Sequence, residues 1–282
     1  MALVSVLLAV HNGARFLAEA TESMLHQTFQ DLELVLVDDA STDDTPSVLA
    51  RIDDPRVTVL RNDGRLGLAA SLNRGLDLAA GKYVARLDAD DVALPQRVEL
   101  QLERMLEEPR VAVVGTAVRD IHESGRQGRT HVMPRGARPL RWHALFSSPF
   151  FHPTVLVDRE ALDRHGLRYD VSFDESEDYE LWTRLFGFAN GDNLREALVL
   201  KRVHAQQASL RRGEVQESFQ RRVALREIKR VAPSVDADGA WRVGAGKDGG
   251  SRRAFLSLLR AFERRNGPDR GVRMAALRAL LT

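Results

Sequence analysis

The chain has no cysteine in its 282 residues. That excludes disulfides and thiolate metal sites, so any metal must sit on carboxylate or imidazole, and it suits a reducing compartment. Long apolar runs are missing too. Leu3–Val10 is too short to span a bilayer, has no basic n-region, and runs into His11-Asn12-Gly13 without a small-residue cleavage pattern. It reads as a buried strand, and the protein is expected to be soluble or peripheral. The glycine fingerprint of a dinucleotide fold is also absent. Gly13 stands alone before Ala14-Arg15-Phe16, so the backbone has no means of closely approaching a pyrophosphate. A nucleotidyltransferase would need a Gly/Lys-rich triphosphate loop near the first strand, and none is present.

A net charge of +1 conceals an asymmetry. From Ala205 onward there are 17 Lys/Arg against 8 Asp/Glu, leaving 24 against 32 in the preceding part. The basic tail either meets something anionic or is a solvated arginine-rich surface. Hydrophobic content of 44% with 29% charged residues is ordinary for a globular enzyme.

The first 115 residues alternate short apolar runs with amphipathic stretches. Leu3–Val10, Leu32–Val37, Val57–Leu60 and Tyr83–Leu87 read as strands. Ala14–His26, Thr45–Ile52, Leu68–Ala79 and Gln96–Glu107 read as the helices between them. Strands apolar throughout, separated by helices, imply a mostly parallel sheet covered on both faces, an α/β architecture of Rossmann-like kind. Val111–Gly115, Thr154–Val157 and Ala197–Arg202 read as further strands, and Ile121–Arg138 as loops or an edge hairpin. Ser176–Phe188 reads as a helix. Glu214–Val231, Arg252–Arg265 and Arg270–Leu281 form a C-terminal helical extension joined by the Gly-rich stretch Gly244–Gly250.

Open parallel sheets bind ligands at the carboxyl ends of their strands. Three clusters fall there: His11-Asn12-Gly13, Asp38-Asp39-Ala40-Ser41-Thr42-Asp43-Asp44-Thr45, and Asp88-Ala89-Asp90-Asp91. Singly, each has a plain alternative as a turn or a helix cap. The third is the most informative. Carboxylates one residue apart, with no basic neighbour in the loop, repel unless a cation lies between them.

Val4-Ser-Val-Leu-Leu-Ala-Val-His-Asn-Gly13, Leu34-Val-Leu-Val-Asp-Asp-Ala-Ser-Thr-Asp-Asp-Thr45 and Arg86-Leu-Asp-Ala-Asp-Asp91 resemble the signatures of the family 2 inverting glycosyltransferases, which have the GT-A fold. The likeness covers residues 1–205, with a nucleotide-binding half at 1–115 and an acceptor half at 116–205. Residues 206–282 form the basic helical tail. The family usually has Pro-x-Tyr-Asn in the first motif. Ala9 and His11 stand at the Pro and Tyr positions here, with Asn12 retained.

The resemblance implies transfer of a sugar from a nucleoside diphosphate to a carbohydrate or lipid-linked acceptor. It places Ala9, His11, Asn12, Asp38 and Asp39 around the nucleoside. Asp39 would accept the base N3–H, which uracil and thymine carry and cytosine lacks, favouring UDP or dTDP donors. Asp90 would ligate Mn²⁺ or Mg²⁺, with Asp88 facing the ribose or a metal-bound water. Arg61-Asn-Asp-Gly-Arg-Leu-Gly67, continuing to Asn73-Arg74-Gly75, is similar to a third nucleotide-contacting stretch. Arg65 would meet phosphate or base there, or remain a solvated loop residue. Lys201-Arg202-Val203-His204 resembles the segment closing over the diphosphate, so His204 is either a metal or phosphate contact or a structural residue.

On the acceptor side, Glu177-Asp178 followed by Tyr-x-Leu-Trp-x-Arg resembles the family's acidic pair opening a helix. By that match Asp178 is the general base and Glu177 positions the acceptor or the loop. Acidic residues in a first helical turn also suit the macrodipole without any chemistry. Phe151-His152-Pro153-Thr154 resembles the His-Pro segment walling the acceptor pocket. A non-catalytic sugar- or nucleotide-binding module is the remaining alternative, and it would have lost Asp90 or Asp178. No nucleic-acid partner is expected. The implied location is the cytoplasm, with the basic tail a candidate for contact with the inner face of an anionic membrane.

Overall fold

The computed structural model describes residues 2–173, 175–204 and 213–281. Strand β1 (Val4–Val10) lies between β2 (Leu32–Asp38) and β4 (Tyr83–Arg86), parallel to both. Its alternate residues enter two different cores: Val4, Val6 and Leu8 pack on one face, Leu7 on the other. A strand buried on both sides has no polar alternation, which accounts for its unbroken apolar run. β3 (Val57–Arg61) continues the parallel set at the edge. The crossovers are α1 (Leu17–Leu25), α2 (Thr45–Leu49) and α3 (Leu68–Leu78). α1 is shorter than its apolar pattern suggested because the residues ahead of it are spent on the turn after β1, and α2 begins at Thr45 as expected but ends at Leu49 rather than Ile52.

Past β4 the sheet changes direction. A short β5 (Val92–Ala93) leads through α4 (Arg97–Glu107) to β6 (Val111–His122), which forms a hairpin with β7 (Gln127–His131). α5 (Ala137–His143), the 3₁₀ turn His152–Thr154, β8 (Leu156–Asp158), α6 (Arg159–Arg164), α7 (Glu177–Leu185) and β9 (Asn190–Val203) follow. Among the described residues the nine strands form one sheet in the order β3-β2-β1-β4-β8-β6-β9-β5, with β7 on β6. This is the mostly parallel GT-A arrangement. The expected strands Val111–Gly115 and Ala197–Arg202 turn out to be parts of much longer ones. Register shifts around Gly115 and Ala117 let β6 and β9 keep pairing where the apolar pattern breaks.

The C-terminal part is a packed helical unit. It consists of α8 (Gly213–Val231), α9 (Ala237–Gly244), α10 (Arg252–Asn266) and α11 (Arg270–Leu281). Trp142 of α5 meets Phe146, Phe255 and Phe262 edge-on, with ring centroids at 5.1, 5.5 and 5.2 Å. Each such contact adds about 0.5–1.5 kcal/mol beyond area burial. Sequence patterning missed α9 because glycines punctuate it. A Cβ on Gly244 would lie 2.1 Å from the Phe146 ring, and one on Gly239 would lie 2.2 Å from Asp236 Oδ2, so both are close-approach positions inside a helix. Asp236 caps the helix by accepting from Gly239 N at 3.0 Å.

The cations expected to meet a membrane are largely engaged within the protein. Arg221 pairs with Asp238 at 2.8 Å, Arg222 lies over the Phe173 ring, and Arg226 reaches Glu180 at 2.8 Å and Thr183 at 2.7 Å. Lys229 caps the end of α8 through Val235 O at 2.7 Å, and Arg230 pairs with Glu227 at 3.3 Å. Arg211 and Arg212 lie outside the described residues. Among the described residues no helix is long and apolar enough to cross a membrane.

Candidate active site

The turns after β1 and β2 interlock. Asn12 and Ala40 adopt left-handed backbone conformations, φ 56° and 52°. Asn12 Oδ1 accepts from Thr42 N at 2.8 Å, Asn12 N donates to Ser41 Oγ at 2.9 Å, and His11 Nδ1 meets Asp39 O at 2.8 Å. Ala9 precedes them in β1, paired with Val37. Thus His11 and Asn12 knit the two strand ends together. Asp38 is buried, accepts Ser41 N at 2.9 Å, and faces Arg61 at 3.5 Å.

Asp39 receives Asn62 Nδ2 at 2.7 Å, Leu66 N at 2.8 Å and Gly67 N at 2.9 Å. Burial acts to raise its pKa, but these donors together with the Ser71 hydroxyl outweigh it and hold the carboxyl below the usual carboxylate range. Oδ2 accepts one of the three donors, so acceptor capacity remains on that side. Arg65 lies exposed on the loop that Asp39 anchors. Asn73 is spent elsewhere: its amide clamps the Tyr169 backbone through both polar atoms, at 2.8 and 2.9 Å.

Beyond β4, one carboxylate oxygen from each of Asp88, Asp90 and Asp91 lies within 4.8 Å of the others. Burial and the neighbouring Asp88 charge raise the pKa of Asp90, and Asp91 is raised further. Asp91 Oδ1 accepts Arg202 N at 2.8 Å, while its buried Oδ2 has no hydrogen-bond partner among the described residues. Hard oxygen donors with an orphaned buried oxygen among them suit a Mg²⁺- or Mn²⁺-class ion. The loop itself carries no basic residue, but the fold brings two basic partners to these acids from outside it. Arg86 pairs with Asp88 at 2.5 Å, and His204 Nε2 lies 2.9 Å from Asp90 Oδ2. His204 gets there because β5 pairs with β9, Val92 opposite Leu200, and β9 then ends beside the triad. Its Nε2 is occupied by Asp90, so it orients a carboxylate in this arrangement.

The acidic pair opens α7 after Ser176, whose φ is 69°. Asn12, Ala40 and Ser176 are the positive-φ non-glycine residues among those described, and all three border this site. Asp178 Oδ2 accepts Ser148 Oγ at 3.1 Å. Glu177 Oε1 lies 3.6 Å from His152 Nδ1, and His152 Nε2 is 2.9 Å from the Tyr169 hydroxyl. Burial, reinforced by the Asp178 charge, pushes the Glu177 carboxyl up to about 8. Burial also raises Asp178 and drives His152 well below the usual imidazole range, so His152 is neutral. Two acids side by side therefore share their ionisation, and with the Glu177 carboxyl raised to about 8 the pair retains a proton at neutral pH.

This arrangement has a stability signature. Between the ordinary 4.5 and about 8, the unfolded chain has lost a proton from Glu177 that the folded chain retains. The group therefore costs stability increasingly as pH rises through that window, and costs none below it. Glu177→Gln should melt higher than wild type at pH 8, with the gap closing by pH 4.5, in thermal melts across that range. A uniform gap at all pH values would contradict the raised pKa.

Sequence reasoning missed Arg86, Ser148 and Tyr169. Arg86 stood within a quoted motif, whereas Ser148 and Tyr169 lie in segments without pattern, brought in by loops before the 3₁₀ turn and after α6.

Residues 5–166 match the family model described as glycosyl transferase family 2. A putative glycosyltransferase EpsE of Bacillus subtilis is 37% identical over 202 residues, covering 69% of this chain and 71% of that protein. The O-antigen biosynthesis glycosyltransferase WbnJ of Escherichia coli is 31% identical over 212 residues, covering 72% and 80%. Among solved structures, the mannosyltransferase PcManGT from Pyrobaculum calidifontis in complex with GDP-Man and Mn²⁺ superposes with TM-score 0.62 at 19% identity, covering 99% of this chain and 80% of that one. S. aureus TarS 1–349 in complex with UDP gives TM-score 0.61 at 19% identity, covering 93% and 81%.

Proposed function

The chain belongs to glycosyl transferase family 2 and is a glycosyltransferase, and we propose that it is a metal-dependent, inverting enzyme using a UDP- or dTDP-sugar. The observation that carries this reading is the Asp88–Asp90–Asp91 triad past β4, with Arg86 paired to Asp88 and His204 to Asp90, together with the Glu177–Asp178 pair that opens α7. Relatives named for succinoglycan and O-antigen biosynthesis support a carbohydrate or lipid-linked acceptor.

A divalent ion held by Asp90, with Asp88 and Asp91 beside it, neutralises the departing diphosphate when bound. The remaining chemistry is the chain's own. Asp178 accepts the acceptor hydroxyl's proton at Oδ2 or Oδ1, aimed by the Ser148 hydrogen bond. The proton that the Glu177–Asp178 pair retains limits the negative charge the two neighbouring acids carry together. The nucleoside rests on the strand ends that His11, Asn12 and Asp38 tie together. His204 keeps Asp90 in place, and Arg65 stands where a phosphate or base edge would pass.

Base choice follows from Asp39. An ionised carboxylate with remaining capacity at Oδ2 accepts an N3–H but repels the bare N3 of cytosine. UDP or dTDP should therefore bind more tightly than CDP in the presence of Mn²⁺, by on the order of the 1–3 kcal/mol cost of an unsatisfied buried group. Calorimetric titration of the three nucleotides tests it. Equal affinities or a preference for CDP would remove Asp39 from base recognition.

A further inference from the structure

The last helix, α11, is apolar on the face it does not bury. Val272 and Ala276 are fully buried in the core of the helical unit, and Ala279 and Leu280 pack partly against it. The opposite face of a helix that borders water is ordinarily polar. Here Met274, Leu277 and Leu281, three and four residues apart on one stripe, are 46%, 50% and 78% exposed. At a turn every 3.6 residues, Arg273 and Arg278 flank that stripe on either side, and Arg270 continues it towards the start of the helix. No Asp or Glu stands on α11. Residues 252–281 hold eight arginines against two acids, and both acids are spent inside the unit. Glu263 of α10 pairs with Arg273 at 2.6 Å, and Asp269 accepts Val272 N at 3.0 Å, capping α11. Among the described residues Arg252, Arg253, Arg260, Arg264 and Arg270 have no ion-pair partner. The cations of α8, by contrast, are engaged within the protein.

We propose that the outer face of α11 is a docking surface for an anionic bilayer, with the helix lying in the plane of the interface. Met274, Leu277 and Leu281 enter the boundary between headgroups and acyl chains. Arg270, Arg273 and Arg278 extend their guanidinium groups to lipid phosphates while their stems cover apolar surface. The uncompensated arginines of α10 add attraction over the distance that salt allows, about 10 Å. Charge decides between this occupant and the others. Two copies of the chain meeting stripe to stripe would set arginine against arginine, with no acid on either helix to relieve the repulsion. A nucleic acid supplies phosphates but nothing apolar for three exposed aliphatic side chains. A bilayer with anionic lipids supplies both. This surface lies on the helical unit, outside the sugar-transfer site, and its use requires neither metal nor nucleotide.

The test is co-sedimentation of the full chain with vesicles of phosphatidylcholine alone and of phosphatidylcholine mixed with phosphatidylglycerol. Wild type should pellet with the mixed vesicles, less so as salt rises, and not with phosphatidylcholine alone. Met274→Gln/Leu277→Gln/Leu281→Gln keeps every charge and should bind the mixed vesicles about 100-fold more weakly or worse, because three apolar side chains no longer enter the bilayer. These side chains are exposed, so the melting temperature should stay at the wild-type value. The absence of cysteine allows a second readout that does not depend on that variant. A polarity-sensitive dye on Leu277→Cys should shift its emission to the blue with mixed vesicles, and the same dye on Val59→Cys, on edge strand β3, should not. No pelleting of wild type, equal pelleting of the glutamine variant, or no blue shift at Leu277→Cys beyond that at Val59→Cys would each overturn the proposal. Light scattering after gel filtration addresses the other occupant. A wild-type dimer that the glutamine variant converts to a monomer would assign the stripe to a second copy and overturn the proposal as well.

Discussion

Asp178→Asn should lower sugar transfer by roughly 10²–10⁴, the range typical of a lost acid–base group, while nucleotide affinity stays within a few-fold. The asparagine keeps the shape of the side chain and its contact with Ser148 but cannot take a proton from the acceptor. Its position explains the split. Asp178 sits in the first turn of α7, on the acceptor side, and its hydrogen-bond partner comes from the loop before the 3₁₀ turn rather than from the nucleotide end of the sheet. Donor binding and single-turnover transfer would be followed on the same preparations. Loss of donor affinity as severe as loss of transfer would make the residue structural or metal-linked, and normal transfer would move the base elsewhere.

Asp90→Ala should abolish the dependence of nucleotide binding on divalent ion. In wild type, UDP should raise the melting temperature weakly in EDTA and clearly with Mn²⁺, because the three carboxylates crowd one another and bind the diphosphate poorly unless a cation intervenes. Removing Asp90 takes away the ligand that His204 orients, at 2.9 Å, and leaves Asp88 held by Arg86. The two melting curves of the variant should then coincide. Equal shifts in wild type with and without EDTA would sink the metal assignment.

The fold was legible in the sequence wherever burial was two-sided. β1 and β2 announced themselves because nearly every residue enters a core, and the acidic turns after β2 and β4 mark strand ends that point to a common crevice. Legibility failed where long-range packing set the structure. Gly115 sits inside β6 because a Cβ there would strike Asn193, and α9 contains Gly244 because Phe146 lies against it. Neither requirement is visible locally. The candidate site divides in the same way. Asp88, Asp90, Glu177 and Asp178 were readable as spaced acids, but their electrostatic partners were not. Tyr169 became significant only when Asn73, 96 residues earlier in sequence, was found clamping it. Asn73 itself was expected at the nucleotide. Its amide is instead used to hold an acceptor-side loop, a choice that spacing alone does not reveal.

The central claim is a single displacement at the sugar's anomeric carbon, with Asp178 as base, and it can be tested without knowing the acceptor. Slow transfer to water from an α-linked UDP-sugar in the presence of Mn²⁺ would be followed by NMR before the free sugar equilibrates. A direct displacement predicts that the β-anomer appears first, and that Asp178→Asn suppresses its formation. First appearance of the α-anomer would contradict the account.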